Sequence, residues 1–388
     1  MGEPVLDPTL FPVAAQWAYC DHASVGPLPK PTRDELARIY DAQMTLGKLG
    51  TVPVETKLDE VRAAVARAIG ASAEEIAFMR ATSDGALLIA SGLEWMPGDQ
   101  VVIAADEFGA NAYPWLNLRD RGVDVVLARA PSERITPTLL DARATPRTRV
   151  VAVSQVGFSD GYRNDINGIG RWCWQHGVLF AIDAMQGFGG LPLDVRACHA
   201  DVAYFGVAKW LLGPHGVSVV YVRDELIERL RPTLAAWRSV LDPMDFLNYD
   251  QPLHPSARRF EGGTGNIPGI AGFGVSLKLL TSAGLDRIER HVLALTDRLI
   301  GGARSAGIEV ESELAPGARS GIVLLGLGAA RVDDLIERTL AARVCVTVRA
   351  NGVRVSPHGY NTDEDIDRVL SVLVTGGCSR PAPPRARS

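Results

Sequence analysis

Short apolar runs rich in β-branched residues recur along the first part of the chain, and stretches with helical periodicity lie between them. The apolar runs predict seven strands, at Glu75–Met79, Gln100–Ala105, Val123–Ala128, Arg149–Ser154, Val178–Ile182, Val202–Phe205 and Val217–Val222. The amphipathic stretches predict helices that include Leu58–Ile69, Gly85–Leu93 and Ile166–His176. Strands that alternate with helices favour an α/β fold with a mostly parallel, doubly wound sheet.

The pattern changes after about Asp224, where it predicts helices and then an irregular segment, Pro243–Arg259, rich in Pro, Asn, Asp and His. Beyond that segment it predicts a long helix near Ile270–Leu295, two strands at Gly321–Leu325 and Val344–Val348, and a last helix near Asp363–Val374. A Thr-Asp-Glu-Asp capping box from Thr362 starts this last helix. The second part of the chain therefore has the pattern of a smaller α+β domain.

These patterns suggest a division of the chain into four parts. We expect an N-terminal segment, 1–25, that packs on the small domain and the active site, followed by a large domain, 26–240. The small domain follows at 241–375. The last residues, 376–388, are rich in Pro, Arg, Gly and Ser and are expected to be disordered.

The composition fits a packed enzyme that acts on small molecules. The chain has 388 residues, of which 47% are hydrophobic, and a net charge of −5 that gives no reason to expect nucleic acid or an anionic membrane as a partner. The start of the sequence lacks a basic segment followed by an apolar stretch, so we expect a cytoplasmic protein. Its five cysteines show no metal-ligand spacing and are expected to be reduced thiols: Cys20, Cys173, Cys198, Cys345 and Cys378.

Two charged residues end successive apolar runs near the middle of the chain. Asp183 follows Val178–Ile182, and Lys209 comes soon after Val202–Phe205. The carboxyl ends of strands in an open α/β sheet are where ligands bind. An amine and a carboxylate there would suit pyridoxal phosphate (PLP), which needs a Schiff base and a protonated pyridine nitrogen. Taken alone, however, Lys209 is better explained as a lysine that reaches solvent after a strand, and Asp183 could be a helix cap before Ala184–Gln186.

Two strand-to-helix loops carry further candidate residues. The segment Arg80–Gly85 places hydroxyls and backbone N–H groups at a helix N-terminus, which suits phosphate. Taken alone, an ordinary Ser/Thr N-cap is the favoured explanation, and only its position upstream of Asp183 and Lys209 favours phosphate. The loop Asp106–Trp115 contains Phe108, which offers an aromatic face for a cofactor ring. The alternative for Phe108 is packing in the core beside a plain turn.

Longer motifs resemble the class V aminotransferase family of fold type I PLP enzymes. The segments Phe180–Val195 and Lys209–Arg223 carry the closest likeness, which extends from Asp21–Pro29 to Arg354–Thr362. The resemblance implies a seven-stranded, mostly parallel sheet with a smaller C-terminal domain, and PLP as cofactor. It also implies a homodimer with shared active sites.

The resemblance assigns roles residue by residue. Lys209 would hold PLP as a Schiff base, Asp183 would pair with the pyridine nitrogen, and Gln186 would lie near the phenolic oxygen. Thr82 and Ser83 would bind the phosphate, Phe108 would stack on the ring, and Thr264 would reach the phosphate of the partner subunit. Arg354 would take the substrate carboxylate. Apart from the roles carried by the resemblance, His22 and Ser24 of the N-terminal segment and His358 are expected to lie close to the substrate. Arg349, near Arg354 in sequence, is the alternative to it, and Tyr360 and Trp237–Ser239 are weaker candidates for lining the pocket.

Some positions depart from the family pattern and bear on the reaction. Cysteine desulfurases of the family carry a nucleophilic Cys on the loop before the arginine, whereas Val348–Val353 contains none. Cys345 lies within a predicted strand, which favours core packing. Phe108 replaces a His and Phe158 replaces an Asn, so the pocket becomes more apolar. The residues before the lysine are Gly206, Val207 and Ala208, in place of the Ser and His often found in the family, so a phosphate contact is lost or supplied elsewhere.

The family chemistry proceeds through a carbanion at the substrate Cα, with several possible fates. We expect β-elimination from a cysteine S-conjugate, a C–S lyase reaction in specialised metabolism. Decarboxylating or oxidative deamination, transamination and epimerisation of an amino acid remain open, while persulfide transfer is disfavoured. A PLP-fold protein without catalysis is a non-enzyme alternative. The partial glycine motif Gly326–Arg331 lacks the third glycine of a dinucleotide-binding loop and is discounted.

Overall fold

The architecture of the first part of the chain is a seven-stranded sheet with helices on both faces. A computed structural model describes residues 3–129, 133–327, 334–349 and 352–375. In chain order the strands of this sheet are β2 (Ile76–Met79), β3 (Gln100–Ala104), β4 (Asp124–Ala128), β5 (Thr148–Ser154), β6 (Leu179–Asp183), β7 (Val202–Gly206) and β8 (Ser218–Val222). All seven predicted strands are thus confirmed, with small shifts at their ends. The described helices are α1 (Lys30–Leu46), α2 (Lys48–Glu55), α3 (Lys57–Ile69), α4 (Thr82–Gly92), α5 (Tyr113–Leu116), α6 (Pro137–Arg143), α7 (Ile166–His176), α8 (Asp224–Ile227), α9 (Ile267–Ala283), α10 (Leu285–Ser305), α11 (Leu335–Ala341) and α12 (Asp363–Thr375).

The sheet has the strand order β2-β8-β7-β6-β5-β3-β4. Only β8 is antiparallel to its neighbours, β2 and β7, so the sheet is mixed but mostly parallel. The carboxyl ends of β2, β3, β5, β6 and β7 therefore meet at one edge. Alternate side chains of a strand point to opposite faces, and here both faces are buried: Ile182 of β6 belongs to one apolar cluster and Ala181 to another.

A second, four-stranded antiparallel sheet lies in the C-terminal part of the chain. Its order is β12 (Thr347–Arg349), β13 (Gly352–Val355), β10 (Val323–Gly326) and β9 (Glu309–Val310). The N-terminal segment joins this region because β1 (Ala18–Tyr19) pairs in parallel with β11 (Val344–Cys345). The division into domains at 25, 240 and 375 stays a prediction.

Three sequence-based predictions for the C-terminal part are wrong in detail. The long helix near Ile270–Leu295 is two helices, α9 and α10, because Gly284 between them takes φ 88° and turns the chain by 78°. The strand Val344–Val348 is split between β11 and β12, which belong to different sheets. After Asp224 the only described helix before Ala257 is the short α8. The tail 376–388 and part of the glycine motif, 328–331, lie outside the described residues.

The capping box before the last helix is confirmed. The backbone N–H of Thr362 donates to Asp365 Oδ2 at 3.1 Å, and the backbone N–H of Asp365 donates to Thr362 Oγ1 at 3.3 Å. The two side chains thereby satisfy N–H groups that the first helical turn leaves unpaired.

Within the described ranges, no single helix is long and apolar enough to cross a membrane, and only the bent pair α9–α10 passes that test together. The same residues contain no cluster of three or more His, Cys, Asp or Glu that would hold a metal ion.

Candidate active site

A cavity of about 420 Å³ opens at the edge where the parallel strands end. The sheet register explains its position, since Ser154 lies opposite Asp183 and Asp183 opposite Tyr204 at the ends of β5, β6 and β7. Its lining residues are Ala23, Ser24, Thr82, Phe108, Ala110, Ser154, Phe158, Asp183, Met185, Gln186, Lys209, Arg349 and Arg354. The fold therefore brings together seven of the site residues predicted from the sequence.

Lys209 reaches the cavity from the turn that follows β7. Its Nζ atom lies 5.6 Å from the centre of the Phe108 ring. Burial lowers the pKa of the Lys209 amine to about 8, opposed by the Asp183 carboxylate and assisted by the Arg354 guanidinium. With a pKa of about 8, part of the amine is neutral near physiological pH. The neutral amine is the form that attacks a carbonyl. The interpretation of Lys209 as a plain surface lysine is therefore wrong.

Asp183 is 4% exposed and ends β6 at the floor of the cavity. Its Oδ1 accepts a hydrogen bond of 2.8 Å from the backbone N–H of Met185. Burial raises the pKa of Asp183 to about 6, while this hydrogen bond and Lys209 act in the opposite direction. No helix follows Asp183, so the helix-cap alternative is also wrong.

The N-terminus of α4 points Thr82 at the cavity. The residue before the helix is Ala81, and Asp84 caps the turn through the backbone N–H groups of Arg80 and Ala81. Thr82 and Ser83 are thus not N-caps. Thr82 Oγ1 instead donates to Met185 Sδ at 3.5 Å. Ser83 is half-buried and does not line the cavity.

Gly206 stands where members of the family often carry a Ser before the lysine, and its surroundings leave little room for a side chain. A Cβ atom on Gly206 would lie 2.9 Å from Thr82 Oγ1 and 3.1 Å from Met185 Sδ. The backbone N–H of Gly206 donates to the same sulfur at 3.2 Å. Met185, which the sequence did not reveal as a site residue, therefore fills the space between β7 and α4.

Phe108 and Phe158 form an aromatic wall. Their rings meet edge to face with centroids 5.3 Å apart, and Phe108 is 54% exposed. The alternative that Phe108 packs in the core is wrong. A neighbouring contact escaped the sequence-based prediction, because Glu107 accepts hydrogen bonds from the backbone N–H and the hydroxyl of Ser154, a cavity residue.

Gln186 lines the cavity with both ends of its amide engaged. Its Nε2 donates to the carbonyl of Ala23 at 2.9 Å, and its Oε1 accepts from Trp210 Nε1 at 3.0 Å. The amide is therefore held in one orientation, with one N–H left over.

Arg354 comes from β13 of the smaller sheet and is 3% exposed. Its Nη1 donates to the Phe158 carbonyl at 2.7 Å, and its Nη2 donates to Ser24 Oγ at 2.8 Å. Arg349, at the end of β12, also lines the cavity. The arginine chosen from the resemblance and its alternative thus both reach the site, Arg354 buried and Arg349 exposed.

The two histidines predicted to lie near the substrate are core residues instead. His22 Nδ1 donates to the Ser356 carbonyl at 2.9 Å, and its Nε2 accepts from the Tyr360 hydroxyl at 3.0 Å. His358 Nε2 donates to the Trp210 carbonyl at 2.9 Å. Burial lowers the pKa of His358 to about 4 and that of His22 well below its usual value. Burial thus disfavours the charged form of both imidazoles, their ring nitrogens bond buried backbone and hydroxyl groups, and neither residue lines the cavity. Tyr360, also fully buried, lies with them and not in the cavity.

Thr264 does not belong to the Lys209 cavity. It lines a separate cavity of about 350 Å³ together with Arg80, Asp84 and Arg238. Arg80 and Asp84 lie beside Thr82 at the start of α4, so this second cavity borders the same helix start. A role at the site of a partner subunit stays a prediction.

None of the four described cysteines lines the Lys209 cavity. Cys20, Cys173 and Cys198 are buried, and Cys345 is half-buried in β11. Burial raises the pKa of Cys345 to about 11, which disfavours the thiolate. Cys378 lies outside the described residues. A larger depression of about 820 Å³ near Arg134 and Tyr162 contains neither Lys209 nor Asp183.

Comparison with known proteins identifies the family. The profile of the Aminotransferase class-V family matches residues 18–369, so the chain belongs to this family. It is 32% identical to a probable cysteine desulfurase of Methanothermobacter thermautotrophicus, over 94% of this chain and 95% of that protein. It is 28% identical to the uncharacterized aminotransferase YcbU of Bacillus subtilis, over the same shares of the two chains.

Solved structures agree with this assignment. The apo cysteine desulfurase of Thermococcus onnurineus NA1 superposes with a TM-score of 0.87 at 25% identity, covering 97% of this chain and 98% of that one. The cystine C–S lyase C-DES, in complex with cysteine persulfide, superposes with a TM-score of 0.86 at 21% identity, covering 94% and 99%. The protein is therefore a PLP-dependent enzyme with the fold type I architecture.

The residues around the cavity fit PLP. An amine of lowered pKa, a buried carboxylate and an aromatic face are the three groups that a pyridoxal ring requires. Lys209, Asp183 and Phe108 supply them around one cavity. The start of α4 adds a positive helix end beside Thr82 for the phosphate.

Proposed function

We propose that this enzyme cleaves the Cβ–S bond of a cysteine S-conjugate by β-elimination. The observation that carries the proposal is the composition of the Lys209 cavity, which combines Lys209, Asp183 and Arg354 with an aromatic wall and has no cysteine among its described lining residues. The overall reaction converts the conjugate and one water into a thiol, pyruvate and ammonium. Its atoms balance without any redox partner.

The residues divide the work as follows. Arg354 binds the substrate α-carboxylate through its guanidinium. Bound PLP would supply an electron sink for the Cα–H bond electrons. Lys209 accepts the Cα proton at Nζ, and Asp183 holds a proton at the pyridine nitrogen. The sulfur departs as a thiolate toward the wall formed by Phe108 and Phe158, where an apolar group on the sulfur is buried.

Cysteine desulfurase activity is the competing candidate, because several relatives bear that name. A desulfurase removes sulfur through a thiolate that attacks the substrate sulfur and releases alanine. The segment Val348–Val353 has no cysteine. The described thiol nearest to it in sequence is Cys345, which lies in β11 and whose pKa is raised by burial. These features favour elimination over persulfide transfer.

A product assay separates the candidates. PLP-loaded enzyme is incubated with S-benzyl-L-cysteine, S-methyl-L-cysteine, L-cystine and L-cysteine, and pyruvate, free thiol and alanine are measured. We expect pyruvate and thiol in equal amounts, with the benzyl conjugate preferred over the methyl conjugate. Alanine with enzyme-bound persulfide would establish a desulfurase, and a keto acid formed only with an amino acceptor would establish an aminotransferase.

Lys209→Ala provides the control for this assay. The variant should bind PLP without forming the borohydride-stable label that the wild type gives, and it should lose pyruvate formation. Turnover that persists in Lys209→Ala would contradict the assignment of Lys209.

We further propose that the enzyme acts as a homodimer, with Thr264 near the phosphate site of the partner subunit. The position of Thr264 outside the Lys209 cavity, in a second cavity that borders the start of α4, supports this arrangement.

A further inference from the structure

We propose that Asp21, Ser24 and Thr347 act together as positioning residues that orient the guanidinium of Arg354 for a substrate carboxylate. We call these three residues the arginine clamp. The inference rests on the proposed function, in which Arg354 binds the α-carboxylate, and it concerns residues whose role the resemblance does not assign. Ser24, predicted to touch substrate, acts in this proposal through Arg354.

The arginine clamp is a closed set of short hydrogen bonds. Thr347 Oγ1 donates to Asp21 Oδ1 at 2.7 Å, and Ser24 Oγ lies 2.9 Å from both of these atoms. Arg354 Nη2 donates to Ser24 Oγ at 2.8 Å and to Thr347 Oγ1 at 3.3 Å. The Asp21 carboxylate lies 3.6 Å from the same nitrogen. Each hydroxyl therefore accepts a hydrogen bond from the arginine and donates one to the Asp21 carboxylate.

Three separate segments supply the clamp. Asp21 and Ser24 follow β1, Thr347 begins β12, and Arg354 lies opposite Thr347 in the antiparallel pair β12–β13. The bridge between Asp21 and Ser356 ties the N-terminal segment to the end of β13. The clamp thus forms only when the N-terminal segment is docked on the small sheet.

The clamp also places a negative charge beside the buried guanidinium of Arg354. Arg354 is 3% exposed, and burial lowers its pKa while Asp21 counteracts that effect. A buried guanidinium without a counter-charge is costly. Asp21 supplies that charge before a substrate arrives, and the two hydroxyls lie between it and the arginine.

The hydrogen bonds also select the edge of the guanidinium that meets a ligand. Arg354 Nε is buried and has no hydrogen-bond partner within the described residues. Nη1 donates one N–H to the Phe158 carbonyl, whereas Nη2 donates to both hydroxyls of the clamp. Within the described residues, the second N–H of Nη1 is therefore left to donate a charge-assisted hydrogen bond to a substrate carboxylate.

The test compares a ligand with and without a carboxylate. L-Alanine and ethylamine differ by that group only, and neither has a β-leaving group, so binding to the PLP-loaded enzyme is followed by the cofactor absorbance without β-elimination. We expect Ser24→Ala and Thr347→Val each to weaken L-alanine binding about tenfold, which is about 1.4 kcal/mol. Ethylamine binding should stay within about twofold of the wild type, a difference near 0.4 kcal/mol.

Ser24→Thr and Thr347→Ser keep a hydroxyl and should restore most of the L-alanine affinity. Thr281→Val makes the same chemical change on α9, where the hydroxyl bonds only within its own helix, and should alter neither titration. Thermal unfolding of each variant reports whether the fold is intact. If both ligands weaken equally, or if neither does, the clamp does not orient Arg354. A wild-type absorbance that responds to neither ligand would instead overturn the proposed function itself.

Discussion

At the scale of single residues, the most consequential property is the lowered pKa of Lys209. The amine lies in a partly apolar cavity, where losing water penalises its charged form more than Asp183 favours it. A lysine in water has a pKa near about 10.4 and is almost fully protonated at neutral pH. The fold therefore prepares this amine for attack on an aldehyde before any cofactor is bound.

The pH dependence of PLP capture by the apo-protein follows from this pKa. Only the neutral amine attacks, so the capture rate should rise with pH, with a midpoint at about 8, and level off above it. Below the midpoint the rate should fall by about tenfold per pH unit, since each unit removes nine-tenths of the neutral form. Stopped-flow absorbance of apo-protein mixed with PLP measures this profile.

Lys209→Ala is the control for the capture experiment and should show no pH-dependent phase in that range. A wild-type midpoint near about 10.4, the value for a lysine in water, would show that burial does not perturb the amine.

At the scale of elements, the break between α9 and α10 depends on one backbone conformation. Gly284 has φ 88° and ψ 116°, a region that residues with a Cβ avoid. The nearest atom to a Cβ placed there is Arg287 Cδ at 3.5 Å, an ordinary contact. The requirement for glycine is thus conformational and not steric.

Gly284→Ala should therefore destabilise the protein by about 1–3 kcal/mol, the usual cost of a strained backbone conformation. Urea unfolding followed by circular dichroism measures the change. The matched control is Gly301→Ala, inside α10 near its C-terminal end, where a Cβ meets no atom within 4 Å. That change should stabilise the protein by about 0.5–1 kcal/mol, because alanine favours the helix. Equal effects of the two variants would contradict the conformational explanation.

At the scale of the whole molecule, one segment exposes an unusual amount of apolar surface. Between Leu241 and Tyr249, four large apolar side chains besides Leu241 are exposed, with Leu247 at 84% and Tyr249 at 87%. Contiguous exposed apolar surface of this kind is typical of an interface. The segment follows closely on Arg238, which lines the cavity of Thr264.

We therefore expect the wild type to sediment as a dimer and Leu247→Asp to shift it toward monomer. A charge placed in a buried interface is costly, which gives the shift its direction. Leu340→Asp, at a leucine that is 57% exposed on α11, is the matched control and should leave the dimer intact. Analytical ultracentrifugation at several protein concentrations distinguishes the species, and a monomeric wild type would refute the proposed shared site.

Local patterns in the sequence were sufficient to predict the large sheet and the ends of its strands. Each strand is a short apolar run, and every strand except β4 is mostly buried, with buried side chains on both faces, so the pattern of residues carries the information directly. Asp183 and Lys209 could be predicted as a pair for the same reason, because the ends of parallel strands meet at one edge. Here the resemblance added the roles, which stay predictions, and the structure places seven of the predicted residues around one cavity.

Only the tertiary structure showed where the two histidines lie and which side chains surround Arg354. His22 and His358 look like polar candidates in the sequence, yet burial and long-range partners make them core residues. Asp21 and Thr347 are 326 residues apart, and no local pattern reports that their side chains meet at 2.7 Å. Strand periodicity encodes which residues are buried, whereas contacts between distant segments depend on how the elements pack.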